Sequence, residues 1–160
     1  MIRKIDDLSV ILFDQHRESR QLVRDMLITT GVMDVRESGN IDDLLDKLRI
    51  KKADLVLMEL PDDSKAGVEI VRTIRNSRKS PAPKVAITVI TGLTDKKRVL
   101  AARDAGVNDF IAKPVSADSL HKRLSRLVEK PQEFVENDAY FGPDRRRRDL
   151  DTAKDRRSED

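Results

Sequence analysis

The 160-residue chain has no cysteine, two histidines and a formal net charge of +3. Disulfides and thiolate chemistry are thereby excluded, and the widely separated His16 and His121 do not make a zinc signature. Hydrophobic and charged residues each account for 38% of the chain; this suffices for one core of about 120 residues beside a charged surface or tail, and no apolar run approaches the length of a membrane span.

The N-terminus, Met1-Ile2-Arg3-Lys4-Ile5-Asp6-Asp7, lacks the apolar centre of a signal peptide, and a cytoplasmic location is expected. Ser9-Val10-Ile11-Leu12-Phe13 reads as a buried strand ending at Asp14. Ser19, Leu22, Val23, Met26, Leu27 and Thr30 follow at helical spacing, and Gly31 stands where a C-terminal cap belongs. Residues 34–38 form a short strand. Asn40 can cap a helix whose apolar stripe is Ile41, Leu44, Leu45 and Leu48.

The next stretch, residues 55–60, is apolar except for one carboxylate, Glu59, and is closed by Pro61-Asp62-Asp63. It reads as a strand buried on both faces of a parallel sheet. Gly67 is expected to precede a helix carrying Val68, Ile70, Val71 and Ile74, with Ser80-Pro81-Ala82-Pro83 as its breaker. A fourth strand is expected over 84–90, followed by Thr91-Gly92. Thr94 can cap a helix that runs to Ala105 and stops at Gly106. A fifth strand is expected over 107–112. Lys113-Pro114 is then expected to make a cis-proline turn, and Ser116 to open a last helix with Leu120, Leu124, Leu127 and Val128.

Five strands alternate strictly with five helices. Such alternation with short loops demands right-handed crossovers and a parallel sheet covered on both faces. In open α/β sheets, ligands bind beyond the carboxyl ends of the strands. Four of those ends carry polar groups: Asp14-Gln15, Glu59, Thr91 and Lys113-Pro114.

With these residues in place, the chain resembles a response-regulator receiver domain of the CheY-like family over residues 8 to 129. The resemblance rests on Asp14, on Glu59 at the end of an apolar third strand, on Gly67 eight residues later, on Thr91-Gly92, and on Ala-Gly-Val-Asn-Asp-Phe-Ile-Ala-Lys-Pro at 105–114. It implies a flavodoxin-like (βα)5 fold with strand order 2-1-3-4-5 and a signalling role without enzymatic activity. In the family, a third-strand aspartate takes a phosphoryl group from a histidine kinase and acids after the first strand hold Mg²⁺. A threonine and a lysine receive the phosphoryl oxygens. A fifth-strand side chain reports the event to the face made by helix 4, strand 5 and helix 5. By position Thr91, Lys113 and Phe110 take these last three roles, with Leu100 and Leu120 shaping the face. Kinases, targets or other receivers are the implied partners, and a homodimer is one form such contacts take.

Two substitutions depart from this scheme. Glu59 stands where the acceptor aspartate belongs, and its extra methylene shifts the nucleophilic oxygen by about an ångström, which in-line attack tolerates poorly. Gln15 stands where the second acid belongs and removes a negative charge from a Mg²⁺ site that needs oxygen ligands and carboxylates. Pro61 occupies the position whose carbonyl binds the metal in the family. The expectation is a degenerate receiver that takes no phosphoryl group and no Mg²⁺, in which the longer Glu59 reaches Lys113 directly. Other readings stay open at each residue. Asp14 can cap the loop after the first strand, Thr91 can be a strand-end hydrogen-bonding residue, and Phe110 can serve packing alone. His16 and His121 read as exposed. Conventional phosphorylation at Glu59 is the reading opposed to all of this.

The compact domain is expected over 1–130, with 131–160 as a charged, mostly disordered extension. From Pro131 onward there are nine acids against seven bases, and such a composition buries too little surface to fold alone. Within it, Tyr140-Phe141-Gly142-Pro143-Asp144-Arg145-Arg146-Arg147-Arg148-Asp149 sets four arginines between aspartates and beside aromatics. Guanidinium forks pair with phosphates and with the guanine Hoogsteen edge and stack on bases. Tyr140, Arg145, Arg146, Arg147, Arg148 and Asp149 are thus candidate nucleotide-binding residues, similar to the Arg-x-x-Asp pattern of cyclic di-GMP sites and to CheY-like cyclic di-GMP effectors. DNA and RNA are the least favoured partners, because the acids dilute the basic run.

Overall fold

Leucine, valine, isoleucine and other apolar side chains on both faces of the three central strands leave that part of the sheet no solvent side, and the chain folds accordingly. The computed structural model describes residues 3–61, 63–76, 78–92, 96–130, 133–136 and 140–144. The elements run β1 (Ser9–Phe13), α1 (Arg17–Thr29), β2 (Asp34–Ser38), α2 (Ile41–Ile50), β3 (Leu55–Glu59), α3 (Ser64–Arg75), β4 (Ala86–Thr91), α4 (Lys96–Ala105), β5 (Asp109–Ala112), α5 (Ala117–Glu129), β6 (Phe134–Glu136) and β7 (Phe141–Pro143). The first five strands form one parallel sheet in the order β2-β1-β3-β4-β5.

Strand alternation sends side chains to two cores. Ile11, Phe13, Val56, Met58, Ile87 and Val89 meet Leu44 and Leu48 of α2, Val71 and Ile74 of α3, and Ala102 of α4. Val10, Leu12, Leu55, Leu57 and Ile111 meet Val23 and Leu27 of α1 and Leu120 and Leu124 of α5 on the other face. Leu120 is 1% exposed. Its expected place on an interaction face is therefore corrected: the apolar stripe of α5 turns it into the core. Leu100 on α4 is 51% exposed and keeps its place on the surface.

Local chemistry sets the boundaries. Gly31 and Gly106 adopt φ of 108° and 115° and stop α1 and α4 where side-chain-bearing residues would be strained. Asn40 accepts from the Asp43 N–H at 2.9 Å, and Ser116 from the Ser119 N–H at 3.1 Å, as helix caps. The Thr94 cap lies outside the described residues. Gly67 lies within α3 and does not precede it; the Leu60 side chain presses on it, 3.1 Å from where a Cβ would stand. The fifth strand starts at Asp109, later than expected, because the Val107 N–H is still bonded to the Ala102 carbonyl as the close of α4. Lys113-Pro114 is cis.

β6 and β7 form an antiparallel hairpin that leans on the domain. Phe134 lies under the Arg75 guanidinium, 4.8 Å from ring centroid to Cζ, and packs against Phe141 with centroids 5.7 Å apart. The hairpin does not stand alone, as its composition requires; it borrows a surface from α3 and from the turn before β5. Gly142 packs on Gly106, where a Cβ would come within 3.1 Å of the Gly106 Cα.

Candidate functional site

β1, β3, β4 and β5 deliver Asp14, Glu59, Thr91 and Lys113 to one end of the sheet, as their spacing in the sequence implies. β3 pairs with β4 so that Glu59 faces Ile90, and β4 pairs with β5 so that Thr91 faces Ala112. The Lys113 N–H donates to the Thr91 carbonyl at 3.0 Å, which extends the ladder one residue and fixes where the lysine leaves the sheet. Glu59, Thr91, Arg98, Val99, Phe110 and Lys113 line a cleft of about 100 Å³.

Within the cleft the Lys113 ammonium donates to Glu59 Oε1. The expected contact across the β3 and β5 strand ends is therefore made. Side-chain exposure is 45% for Lys113 and 20% for Glu59, so the pair is open to solvent on the lysine side. Phe110 is half-buried against the core that contains Val89 and sits opposite it in the sheet; it both packs and borders the cleft.

Asp14 is only 3% exposed. Its Oδ1 accepts from the His16 N–H at 2.9 Å, and its Oδ2 accepts from the Ser19 hydroxyl. Each carboxylate oxygen thereby accepts one hydrogen bond from the loop or first turn of α1, the geometry of a capping aspartate. Arg20 adds a hydrogen bond to the Asp14 carbonyl at 2.8 Å. Gln15, next in the chain, is exposed, as are His16 and His121.

Arg98 was not legible as a site residue. In the sequence it closes a Lys96-Lys97-Arg98 run that reads as a solvated helix face. In the fold it is half-buried, and its Nη2 donates to the Pro61 carbonyl at 2.9 Å, joining α4 to the connection after β3. Arg75 was missed too, because the carbonyls it serves are distant in the chain. It ends α3 at 4% exposure and donates to the carbonyls of Gly106, Pro83 and Val85 at 2.9, 2.9 and 2.5 Å and to Asn108 Oδ1 at 2.7 Å. This cluster sits at the opposite end of the strands from the cleft. Near that end, Lys51 and Ser9 hydrogen-bond Asp34 and hold its carboxyl below the usual aspartate value.

Of the candidate nucleotide-binding residues, Tyr140 is half-buried, and its hydroxyl donates to the Pro143 carbonyl at 3.1 Å inside the hairpin. Arg145, Arg146, Arg147, Arg148 and Asp149 lie outside the described residues. Among the described residues no helix is long and apolar enough to cross a membrane, and no cluster of three or more histidine, aspartate or glutamate side chains could hold a metal ion.

Known proteins share this fold. The sequence is similar to the transcriptional regulatory protein KdpE of Staphylococcus aureus, with 28% identity over 121 residues that cover 76% of this chain and 49% of the relative. It is also similar to the response regulator protein VraR of Staphylococcus saprophyticus, with 27% identity over 128 residues that cover 79% of this chain and 59% of the relative. The chain thus spans about half the length of these curated relatives. Among solved structures, the fold matches a signal receiver domain from Bermanella marisrubri with a TM-score of 0.65 at 24% identity, covering 76% of this chain and 98% of that one. A response regulator from Thermotoga maritima matches with a TM-score of 0.62 at 26% identity, covering 77% and 98%. The family model for the response regulator receiver domain matches residues 10–125; with the strand order and the polar strand ends observed here, the chain belongs to the response regulator receiver domain family.

Proposed function

We propose that this chain is a receiver-type signalling module that acts through protein–protein contact at its α4–β5–α5 face and takes no phosphoryl group. The observation that carries this reading is the ion pair between Glu59 and Lys113. It joins, within the protein itself, the two positions that the family bridges through a phosphoryl group. The surrounding donors do not suit Mg²⁺ either. That ion asks for near-octahedral oxygen ligands with one or two carboxylates. Here both oxygens of Asp14 accept hydrogen bonds from α1 and its loop, Gln15 is neutral, and the Pro61 carbonyl accepts from Arg98. Phosphoryl transfer depends on metal, acceptor and lysine being placed together, and this constellation supplies only the lysine in its usual form. The partners are other signalling proteins, and the surroundings in which such modules work fit a cytoplasmic location.

The test is addition of beryllofluoride with Mg²⁺ to the full chain, followed by backbone amide spectra. The expected result is no saturable change around Glu59, Thr91 and Lys113. A saturable change there, or an acid-labile phosphoryl adduct on Glu59 after incubation with acetyl phosphate, would restore the conventional phosphorylated regulator.

A second reading is favoured by the hairpin. The Asp144 N–H donates to the Glu133 carbonyl at 2.6 Å, so the chain enters the Arg145–Arg148 run from a fixed point on the domain. In this reading the arginines take cyclic di-GMP, with guanidinium planes on the bases and forks on the phosphates. Tyr140 serves the hairpin and offers no free hydroxyl. Titration calorimetry with cyclic di-GMP on the full chain and on the Arg146→Ala/Arg147→Ala variant separates the outcomes: heat from the first alone supports the reading, and no heat from the full chain rejects it.

A further inference from the structure

We infer that Arg98 is a resident cation of the degenerate site, standing at the Pro61 carbonyl where the family's metal would make its backbone contact, and that it pins α4 independently of any phosphoryl signal. The inference rests on the reading that Glu59 takes no phosphoryl group. The geometry is specific. Arg98 borders the same cleft as Glu59, Thr91 and Lys113. Its Nη2 lies 2.9 Å from the Pro61 carbonyl oxygen, a normal distance for a charge-assisted hydrogen bond. The cleft is thus lined by two fixed cations, with Lys113 on the carboxylate and Arg98 on the carbonyl. A divalent ion entering there would have to displace Arg98 from the Pro61 carbonyl and compete with the Lys113 ammonium for Glu59, at an electrostatic cost. That electrostatic cost is larger within a cleft than in bulk water.

The same contact has a mechanical consequence. α4 fully buries only Ala102 among its described side chains, so apolar packing secures it weakly. Arg98, in its first turn, ties it to the connection between β3 and α3. α4 is one wall of the α4–β5–α5 face, and Leu100 projects from it at 51% exposure. The face is thereby held in one position by a side chain of the protein, where other receivers move it in response to a covalent event at the acceptor.

The experiment uses full-length variants and Mg²⁺ alone as the probe. Gln15→Asp/Glu59→Asp restores the second acid and the shorter acceptor carboxylate and leaves Arg98 in place. Adding Arg98→Met keeps the aliphatic stem and removes the guanidinium; adding Lys96→Met to the double variant is the control for loss of one positive charge from the same helix. Titration calorimetry is expected to show Mg²⁺ binding at least about tenfold tighter with Arg98→Met than in the double variant, with the Lys96→Met control within about threefold of the double variant. Equal Mg²⁺ affinity with and without Arg98→Met, an equal gain from Lys96→Met, or no binding by any of the three would overturn the inference. Mg²⁺ or beryllofluoride binding by the unmodified chain would instead sink the reading on which it rests. In the single Arg98→Met variant, amide hydrogen exchange in the second half of α4 is expected to rise about tenfold; unchanged exchange there would remove the pinning role.

Discussion

The two ends of the sheet hold arginine and lysine in opposite ways. At the carboxyl ends of the strands, Lys113 meets Glu59 with nearly half of its side chain in water. At the amino ends, Arg75 is buried and spends its donors on three backbone carbonyls and one amide oxygen. The first arrangement is a charge pair at the strand ends that line the cleft. The second is a polar core that knits α3 to the turns leading into β4 and β5 and supports the C-terminal hairpin. Stability should therefore be concentrated at the end with no candidate function, and the cleft should tolerate change.

The largest expected effect follows from Arg75. Arg75→Met keeps most of the stem but leaves the carbonyls of Val85 and Gly106 without their donor in a buried setting. Each buried acceptor left unsatisfied costs on the order of 1–3 kcal/mol, and a total loss of about 3 kcal/mol is expected from denaturant midpoints. A loss below about 1 kcal/mol would mean that water replaces the guanidinium readily, and the contrast between the two ends would lose its basis.

Phe134→Ala sharpens the comparison by acting on the hairpin alone. It removes the ring beneath Arg75 and the contact with Phe141 while leaving the four hydrogen bonds of Arg75 in place. A stability loss of about 1 kcal/mol is expected, together with faster proteolysis between Glu133 and Asp144 in a domain whose core stays protected. If cleavage is unchanged, the hairpin does not depend on the cation–π contact.

The fold was readable because its determinants are local. Buried strands announce themselves as apolar runs, and Gly31, Asn40, Gly106 and Ser116 act within a few residues of where they stand. The polar strand ends were readable for the same reason, since topology carries them to one edge. Arg98 and Arg75 were not, because their roles depend on carbonyls distant in the chain. Pro61 lies 37 residues from Arg98 and Gly106 lies 31 from Arg75, and a backbone acceptor leaves no mark in a sequence. The hairpin was hidden by composition: few apolar residues between Pro131 and Asp144 suggest a solvated tail, and Phe134 finds its partner in an arginine and not in an apolar core. Leu120 erred in the other direction. Its position in the α5 stripe marked it as apolar, but only the packing of α5 on β1 and β5 decides that it faces inward.

The smallest expected effect tests the cleft itself. Glu59→Gln preserves side-chain length and removes the charge opposite Lys113. Partly exposed ion pairs contribute little, about 0.2–1 kcal/mol in double-mutant cycles, because water screens the attraction and both side chains lose freedom. A cycle with Glu59→Gln and Lys113→Met should return a coupling within that range, shrinking further at high salt as the Debye length shortens. The pair would then set which groups meet in the cleft while contributing little to whether the chain folds. A coupling above about 2 kcal/mol would place a strong structural contact at the end that the comparison treats as tolerant. The proposed lack of phosphoryl chemistry would then follow from a carboxylate committed to the fold, and shortening it to aspartate would destabilise the chain before it could restore an acceptor.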